Sequence, residues 1–188
     1  VKVASQGVVA AVLEDGEVTW INLYDTSGNE IAKNRTTVGE SGYPLDISIS
    51  PDGEKMIVSF LRITNGVVNT KTTFYNFGAV GRSNTNNEVN SEIYENTIVP
   101  KVEYLSNTEA VAFRDNGFTV FEGRQSPEIR ADVEFDQDII SVFYDEDTLG
   151  FVLQSELSEH RYKIQLYNLN GRQTMEQYID EEFQNIKL

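Results

Sequence analysis

Short apolar runs separated by polar turns divide the chain. Three segments share a layout of apolar run, four-residue polar turn and second apolar run: PLDISISPDGEKMIVSF at 44–60, VPKVEYLSNTEAVAFRD at 99–115 and IISVFYDEDTLGFVLQS at 139–155. The second run of each pair, like VVAAVL at 8–13, is apolar at nearly every position instead of alternating. Such a run is typical of a strand buried on both faces, so each is predicted to lie inside a layered β structure.

The turns between these runs recur with a regular period. Asp15-Gly16, Asn65-Gly66 and Asn116-Gly117 each separate two apolar or β-branched runs, and their glycines lie 50 and 51 residues apart. Asp-Gly and Asn-Gly favour type I′ hairpin turns, because both central residues of that turn need positive φ. A period near 50 residues is typical of propeller blades and other repeat arrays.

Four strands also end in the same signature. INLYD at 21–25, TTFYN at 72–76, FTVFE at 118–122 and IQLYN at 164–168 each place an apolar residue and an aromatic before Asp, Asn or Glu. The aromatics are 51, 46 and 46 residues apart, and a turn containing glycine follows each of them. This regularity predicts four equivalent structural units.

We therefore predict an all-β fold, a β-propeller of four-stranded antiparallel blades, as one domain or propeller segment over 1–188. The predicted units are a part-blade at 7–36, full blades at 43–94, 97–135 and 138–178, and an extra inner strand at 182–188. If the last strand pairs beside the first one of the part-blade, the ring closes with four blades. Otherwise the chain is an arc of a larger propeller.

Composition and charge narrow the functional classes. The 188 residues include 30 acidic and 15 basic side chains, no cysteine, and a formal net charge of -15. An acidic protein repels nucleic acid and anionic membrane surfaces at long range, so neither is an expected partner. No segment reaches the roughly 18 apolar residues of a membrane-spanning helix, so this segment is not expected to insert into a bilayer.

One turn and the four aromatic endings resemble a known family. Ser50-Pro51-Asp52-Gly53 followed by EKMIVSF is similar to the SPDG turn of WD40-like and TolB-like β-propeller repeats. The four aromatic endings lie where the Trp-Asp dipeptide of WD40 repeats would fall. The chain departs from WD40 repeats because it has no Gly-His dipeptide, and its single tryptophan, Trp20, lies four residues before Tyr24.

This looser pattern resembles bacterial propellers, some of which are envelope proteins held by an N-terminal membrane helix. The resemblance implies a location on the extracytoplasmic face of a bacterial membrane, with the cytoplasm as the alternative. The sequence begins at Val1 and not at a methionine, so it is compatible with a targeting or anchoring segment outside it. The location is therefore left open.

Candidate chemistry in the chain is sparse, and we predict no catalytic, cofactor-binding or metal-ligating residue and no cofactor. The densest acidic group comprises Asp136, Asp138, Asp145, Glu146 and Asp147. It lacks the alternate ligand spacing and the glycine of a calcium loop, so it is interpreted as a solvated turn. The second acidic run, 180–182, has the same interpretation.

His160 is the only histidine, and it lies in the turn ELSEHRY without a Gly-x-Ser-x-Gly nucleophile motif. One histidine and no cysteine leave only carboxylates to complete a zinc site, so zinc is not expected. The Asn-rich segment GAVGRSNTNNEVNSE at 78–92 is a candidate recognition loop. Asn34-Arg35-Thr36 matches a glycosylation acceptor.

The predicted function is a non-enzymatic propeller module of a bacterial envelope protein that binds a protein, peptide or glycan ligand. One alternative is a cytosolic WD40-like scaffold with a peptide docked at its central opening. A second is a glycan-active enzyme that uses a pair of the 30 acidic residues, although nothing in the sequence selects such a pair. The sequence predicts neither the ligand nor the oligomeric state.

Overall fold

The protein consists of four sheets that follow one another along the chain. The computed structural model describes residues 1–80 and 87–180. Each sheet contains four antiparallel strands that are consecutive in sequence, which confirms the predicted all-β blade architecture. A single helical turn, α1 (Phe77–Val80), follows the third strand of the second sheet.

The strand bounds are as follows. Blade 1 contains β1 (Lys2–Val3), β2 (Val9–Asp15), β3 (Val18–Tyr24) and β4 (Glu30–Thr37). Blade 2 contains β5 (Tyr43–Ile49), β6 (Lys55–Thr64), β7 (Val67–Asn76) and β8 (Glu88–Glu95). Blade 3 contains β9 (Lys101–Tyr104), β10 (Glu109–Phe113), β11 (Gly117–Glu122) and β12 (Glu128–Glu134). Blade 4 contains β13 (Ile139–Tyr144), β14 (Thr148–Gln154), β15 (Tyr162–Asn168) and β16 (Gln173–Ile179).

Across the described part of the chain, no helix is long and apolar enough to cross a membrane.

Blade 1 differs from the part-blade predicted at 7–36, because β1 supplies a fourth strand. Lys2 pairs with Ala10 and Val3 with Val9. A strand of two residues is too short to show alternation in the sequence, which is why the pattern did not reveal it. The predicted inner strand at 182–188 lies outside the described residues.

The predicted type I′ turn is found at one of its three positions. Asn65 and Gly66 have φ values of 53° and 78°, as that turn requires. Between β2 and β3 the register places Gly16 and Glu17 at the centre of the turn, and Glu17 does not have positive φ, so the prediction of a type I′ turn at Asp15-Gly16 is wrong. At Asn116-Gly117 it is also wrong, because the Arg114 N–H donates to the Gly117 carbonyl, which places Asp115 and Asn116 at the centre of the turn, and neither has positive φ.

Three buried apolar clusters hold neighbouring blades together. The first joins blades 1 and 2, the second joins blades 2 and 3, and the third joins blades 3 and 4. Between blades 2 and 3, for example, the rings of Phe74 and Phe121 meet edge to face at 4.8 Å. No buried cluster formed by residues 1–80 and 87–180 joins blade 4 to blade 1. The three clusters thus join the four blades in chain order, and we call this series of blades the arc.

The SPDG turn has a structural role in this arrangement. The Gly53 N–H donates to the Ser50 carbonyl (2.8 Å), and the Lys55 N–H donates to Ser50 Oγ (3.0 Å). The Asp52 N–H reaches across to blade 3 and donates to Asn107 Oδ1 (2.9 Å). A Cβ at Gly53, where φ is 71°, would lie 2.8 Å from Val8 of blade 1. A single turn therefore contacts the blades on both sides of its own.

Asp52 ties this turn to a buried cation. Lys55 is 4% exposed, and its Nζ lies 3.1 Å from Asp52 Oδ2. Burial pushes the pKa of Asp52 upward, but hydrogen bonds from Ser50, the Glu54 N–H and Lys55 outweigh it, and the pKa is lowered. Because the pKa of Asp52 is lower in the folded state, its ionised carboxylate stabilises the fold at pH values above the pKa of the unfolded carboxyl, about 3.9. This stabilisation is lost as the pH falls through the pKa that Asp52 has in the folded protein.

Asp52→Asn is therefore expected to lower the free energy of unfolding at pH 7 by about 1–2 kcal/mol, because it weakens charge-assisted hydrogen bonds and leaves Lys55 without its counter-ion. Urea unfolding at pH 7 and pH 3 measures this, and the gap between wild type and variant should narrow at pH 3. Asp147→Asn makes the same charge change at an exposed turn of blade 4 and should have little effect. Equal losses in the two variants would contradict the assigned role of Asp52.

Candidate functional site

Polar side chains of three inner strands meet where blades 2, 3 and 4 come together. β5 contacts both β1 and β9, so these strands form the inner edge of the arc. Along β9 the side chains alternate, with Val102 and Tyr104 buried and Lys101 and Glu103 partly exposed. The period of two therefore places Lys101 and Glu103 on the face of β9 opposite Val102 and Tyr104. We call Asp46, Ser48, Lys101, Glu103 and Tyr144 the axial cluster.

Glu103 lies at the centre of the axial cluster and receives a hydroxyl from each side. Ser48 Oγ donates to Glu103 Oε1 at 3.1 Å, and Tyr144 Oη donates to Oε2 at 3.1 Å. Ser48 is 1% exposed and also accepts the Tyr104 N–H at 2.9 Å. The carboxylate is thus oriented by blades 2 and 4 while it stays partly open to solvent, where it can accept further hydrogen bonds.

Two neighbouring side chains, Phe113 and Lys101, contact the ring of Tyr144. The ring stacks on Phe113 at a centroid distance of 5.4 Å, and Lys101 Nζ lies 4.6 Å from its centroid. Burial, followed by the charge of Glu103, raises the pKa of Tyr144 to about 12, and the charge of Lys2 in blade 1 opposes this shift. At physiological pH the phenol is therefore neutral and serves as a hydrogen-bond donor to Glu103.

Asp46 completes the axial cluster on blade 2. Its Oδ2 accepts the Val102 N–H at 3.0 Å, so this side chain joins β5 to β9 in place of a backbone ladder. The cluster therefore offers carboxylate acceptors beside the ammonium group of Lys101. Such a surface can bind a partner that carries both donors and acceptors. Among the residues that the structure describes, no three His, Asp or Glu side chains gather in a way that could hold a metal ion.

The acidic group singled out in the sequence forms ordinary turns. Asp145 Oδ1 accepts the backbone N–H groups of Asp147 (2.9 Å) and Thr148 (2.8 Å), which is how an aspartate closes a turn. Asp136 and Asp138 are exposed in the segment between β12 and β13. From the second acidic run, only Asp180 lies within the described residues.

His160 belongs to a polar network on the surface of blade 4. Its side chain is 34% exposed, and Nδ1 lies 3.2 Å from Asp180 Oδ1. The imidazole is 5.4 Å from the ring of Tyr178, whose Oη donates to Glu156 at 2.7 Å. Hydrogen bonds from Lys163 and then from Tyr178 lower the pKa of Glu156 to about 2. A pocket of about 580 Å³ opens beside this loop.

Two other sequence candidates fall at the boundary of blades 1 and 2. The glycosylation match is disfavoured, because Asn34 is only 5% exposed and its Oδ1 accepts the Asn87 N–H at 3.0 Å. Of the candidate recognition loop at 78–92, residues 81–86 lie outside the described part of the chain, and the segment from Glu88 onward belongs to β8.

The sequence did not reveal the axial cluster. In the sequence, the three residues Ser48, Glu103 and Tyr144 are polar positions within runs predicted as strands. This pattern was the signal that could have pointed to the site. Their meeting depends on how three blades are arranged in space, because 55 residues separate Ser48 from Glu103 and 41 separate Glu103 from Tyr144. Polar positions that recur on the first strand of each blade would have marked the inner edge of the arc.

A family model described as a family of unknown function, DUF5711, matches residues 1–188. No curated protein matches the chain. Similar solved structures include the β-propeller domain of the Trilobed protease from Pyrococcus furiosus, with a TM-score of 0.58, 12% identity, and coverage of 96% of this chain and 56% of that one. A eukaryotic initiation factor has a TM-score of 0.56 at 15% identity, with coverage of 90% and 39%.

The WD40 domain of Neurospora crassa Pan2 gives a TM-score of 0.50 at 10% identity, with coverage of 93% of this chain and 53% of that one. The chain thus spans between 39% and 56% of the length of these three structures. At such low identity the likeness shows the fold alone, and that fold is a β-propeller.

Proposed function

We propose a binding function for this chain, which belongs to the DUF5711 family of unknown function. Its propeller fold suggests a binding or scaffold module. The observation that carries the proposal is the Glu103 carboxylate, which two hydroxyl groups from neighbouring blades orient on the inner edge of the arc. The proposed ligand is a peptide or protein segment that lies on the axial cluster.

The chemistry of the axial cluster supports this class of ligand. Asp46 and Glu103 supply acceptors for backbone N–H or ammonium groups, and Lys101 supplies a donor for carbonyl groups. A peptide offers both kinds of group along one extended segment. The net charge of -15 attracts a cationic ligand at long range. We therefore expect basic segments to bind more tightly than acidic ones. Their binding should weaken as the salt concentration rises, because salt screens the charges.

Binding without turnover is part of the same proposal. Both oxygens of Glu103 already accept hydrogen bonds, and Asp46 is engaged by a backbone N–H. Carboxylates held in this way are suited to recognition, whereas glycoside hydrolysis needs two carboxyl groups placed on either side of a scissile bond. The envelope location implied by the sequence resemblance stays part of the proposal, with the cytosolic scaffold as its alternative.

Glu103→Gln is expected to weaken binding of a fluorescein-labelled Gly-Lys repeat peptide by about tenfold, because it replaces charged acceptors with a neutral amide. Fluorescence anisotropy at low and at physiological salt measures the dissociation constants. Glu128→Gln, on the exposed outer strand β12, makes the same charge change away from the axis and is the matched control.

The two glutamate variants separate a specific site from general charge attraction. If both weaken binding equally, the peptide is held by net charge and the axial proposal is wrong. Tyr144→Phe removes one donor to Glu103 and keeps the aromatic ring, so its effect should be smaller than that of Glu103→Gln. Circular dichroism spectra that match the wild type would show that the variants are folded.

A further inference from the structure

A cavity of about 390 Å³ opens between the outer strands of blades 2 and 3. β8 and β12 are the last strands of their sheets, whereas the axial cluster lies on the first strands, at the opposite edge. Small-molecule sites in proteins usually occupy about 300–1,000 Å³. We call this space the outer cavity, and its polar lining includes Glu92, Tyr94, Glu95, Arg114, Asp132 and Glu134.

The outer cavity receives alternate side chains from the two strands that flank it. On β8, Glu92 and Tyr94 are two residues apart and therefore share a face of their sheet. On β12, Asp132 and Glu134 share a face for the same reason. Because all four residues line the cavity, the polar faces of the two outer strands meet there.

Arg114 is the buried cation of the outer cavity, and its hydrogen-bonding capacity is only partly used. The residue is 9% exposed, and its Nη2 donates to the Val133 carbonyl at 2.6 Å and lies 3.0 Å from Asp132 Oδ1. Its Nε–H is buried without a hydrogen-bond partner among the described residues. Since most buried donors in folded proteins are paired, the guanidinium can serve an acceptor oxygen that enters the cavity.

Tyr94 supplies a second unused donor from the neighbouring blade. It is 8% exposed, and its Oη is also buried without a hydrogen-bond partner in the part of the chain that the structure describes. The hydroxyl of Thr119, another lining residue, donates to Asp132 Oδ1 at 2.8 Å. The guanidinium carbon of Arg114 lies 5.7 Å from the centroid of the Tyr94 ring. Two buried side chains, one from each blade, thus present donors to the same cavity.

Carboxylates form the rim of the outer cavity. Glu95, Asp132 and Glu134 are exposed, and Glu92 is half-buried. Asp132 pairs with Arg114, whereas Glu92 and Glu95 form no ion pair within residues 1–80 and 87–180. This excess of negative charge repels an anionic ligand, and the guanidinium repels a cation at the inner end. The cavity therefore favours an uncharged ligand that accepts hydrogen bonds at its inner end and donates them at the rim.

We propose that the outer cavity binds a neutral saccharide. A sugar hydroxyl accepts a hydrogen bond from Arg114 or Tyr94, and another hydroxyl of the same ring donates to a carboxylate of the rim. Ile93 and Ile129 line the same cavity and are 49% and 50% exposed, so they offer apolar surface to the C–H groups of the ring. This site is additional to the peptide site proposed at the axial cluster.

Nuclear magnetic resonance of the ¹⁵N-labelled chain tests the proposal. Titration with glucose, galactose, mannose and N-acetylglucosamine should shift the Nε–H signal of Arg114 saturably for at least one sugar, with a dissociation constant on the order of 1–10 mM. If none of the four sugars gives a saturable shift, the proposal is overturned. It is also overturned if glucosamine binds more tightly than N-acetylglucosamine, because the rim would then be a site for cations.

Tyr94→Phe tests the role of the unused hydroxyl, because it keeps the ring and removes only Oη. The substitution should raise the dissociation constant of the sugar about fivefold, while the urea midpoint of unfolding stays unchanged because Oη has no partner in the fold. Tyr104→Phe is the matched control: Tyr104 is 6% exposed, and its Oη is also buried without a partner among the described residues, but it does not line the cavity. Sugar binding that Tyr94→Phe leaves unchanged, or that both variants weaken equally, overturns the proposal.

Discussion

Replacing Gly42 with alanine is expected to lower the free energy of unfolding by about 2–4 kcal/mol. Gly42 has a φ of 101°, in a region that residues with a side chain rarely adopt. An added Cβ would also lie 2.2 Å from the carbonyl oxygen of Leu61 in β6. That oxygen belongs to the backbone, so it cannot move aside without disturbing the strand.

Gly39→Ala is the matched control for this substitution. Gly39 lies three residues earlier in the same connection between blades 1 and 2, and the nearest atom to its added Cβ is Thr37 Oγ1 at 3.9 Å. Its effect on stability should be within about 0.5 kcal/mol of zero. Urea unfolding at constant m measures both variants. If the two substitutions lower the free energy of unfolding equally, then neither the positive φ of Gly42 nor the contact with Leu61 explains the effect of a side chain at this position.

The fold was predictable because its main signals are repeated. An aromatic residue returns at Tyr24, Tyr75, Phe121 and Tyr167, and wherever a preceding blade is present it is buried against that blade. A single degenerate motif would carry little information, but four copies at a regular spacing constrain the architecture. The predicted hairpins were less accurate, since the two central residues of a turn depend on strand register, as the shift to Gly16-Glu17 shows.

The candidate site could not be predicted in the same way. Glu103 is fixed by Ser48 of blade 2 and Tyr144 of blade 4, so its environment arises from the packing of whole blades. Periodicity within a strand assigns a polar side chain to one face of its sheet, but it does not tell which other strand will supply its partner. The two-residue strand β1 was missed for a related reason, because its position depends on pairing with β2 and not on a pattern of its own.

Phe151→Ala should produce the largest loss of stability, about 3–5 kcal/mol, because it removes a large aromatic side chain from a packed interior. Phe151 is 0% exposed at the contact between blades 3 and 4. Its ring centroid lies 4.9 Å from that of Phe118, 5.0 Å from Phe135 and 5.9 Å from Tyr167. Because Phe118 and Tyr167 belong to strands that are paired on both sides, their rings cannot collapse into the space.

A loss of that size is a large part of the 5–15 kcal/mol that typically stabilises a domain, so Phe151→Leu provides a variant that keeps its fold. Phe151→Leu should lower the free energy of unfolding by about 1–2 kcal/mol. Ile63→Ala, at a residue that is 64% exposed, is the control and should lower it by less than about 0.5 kcal/mol. Urea unfolding followed by Trp20 fluorescence adds a test of coupling, because Trp20 lies in blade 1, at the far end of the arc. If the interfaces unite the blades into one cooperative unit, Trp20 and far-ultraviolet circular dichroism report the same lowered midpoint. A midpoint at Trp20 that Phe151→Leu leaves unchanged would show that the blades unfold separately, as repeat arrays can.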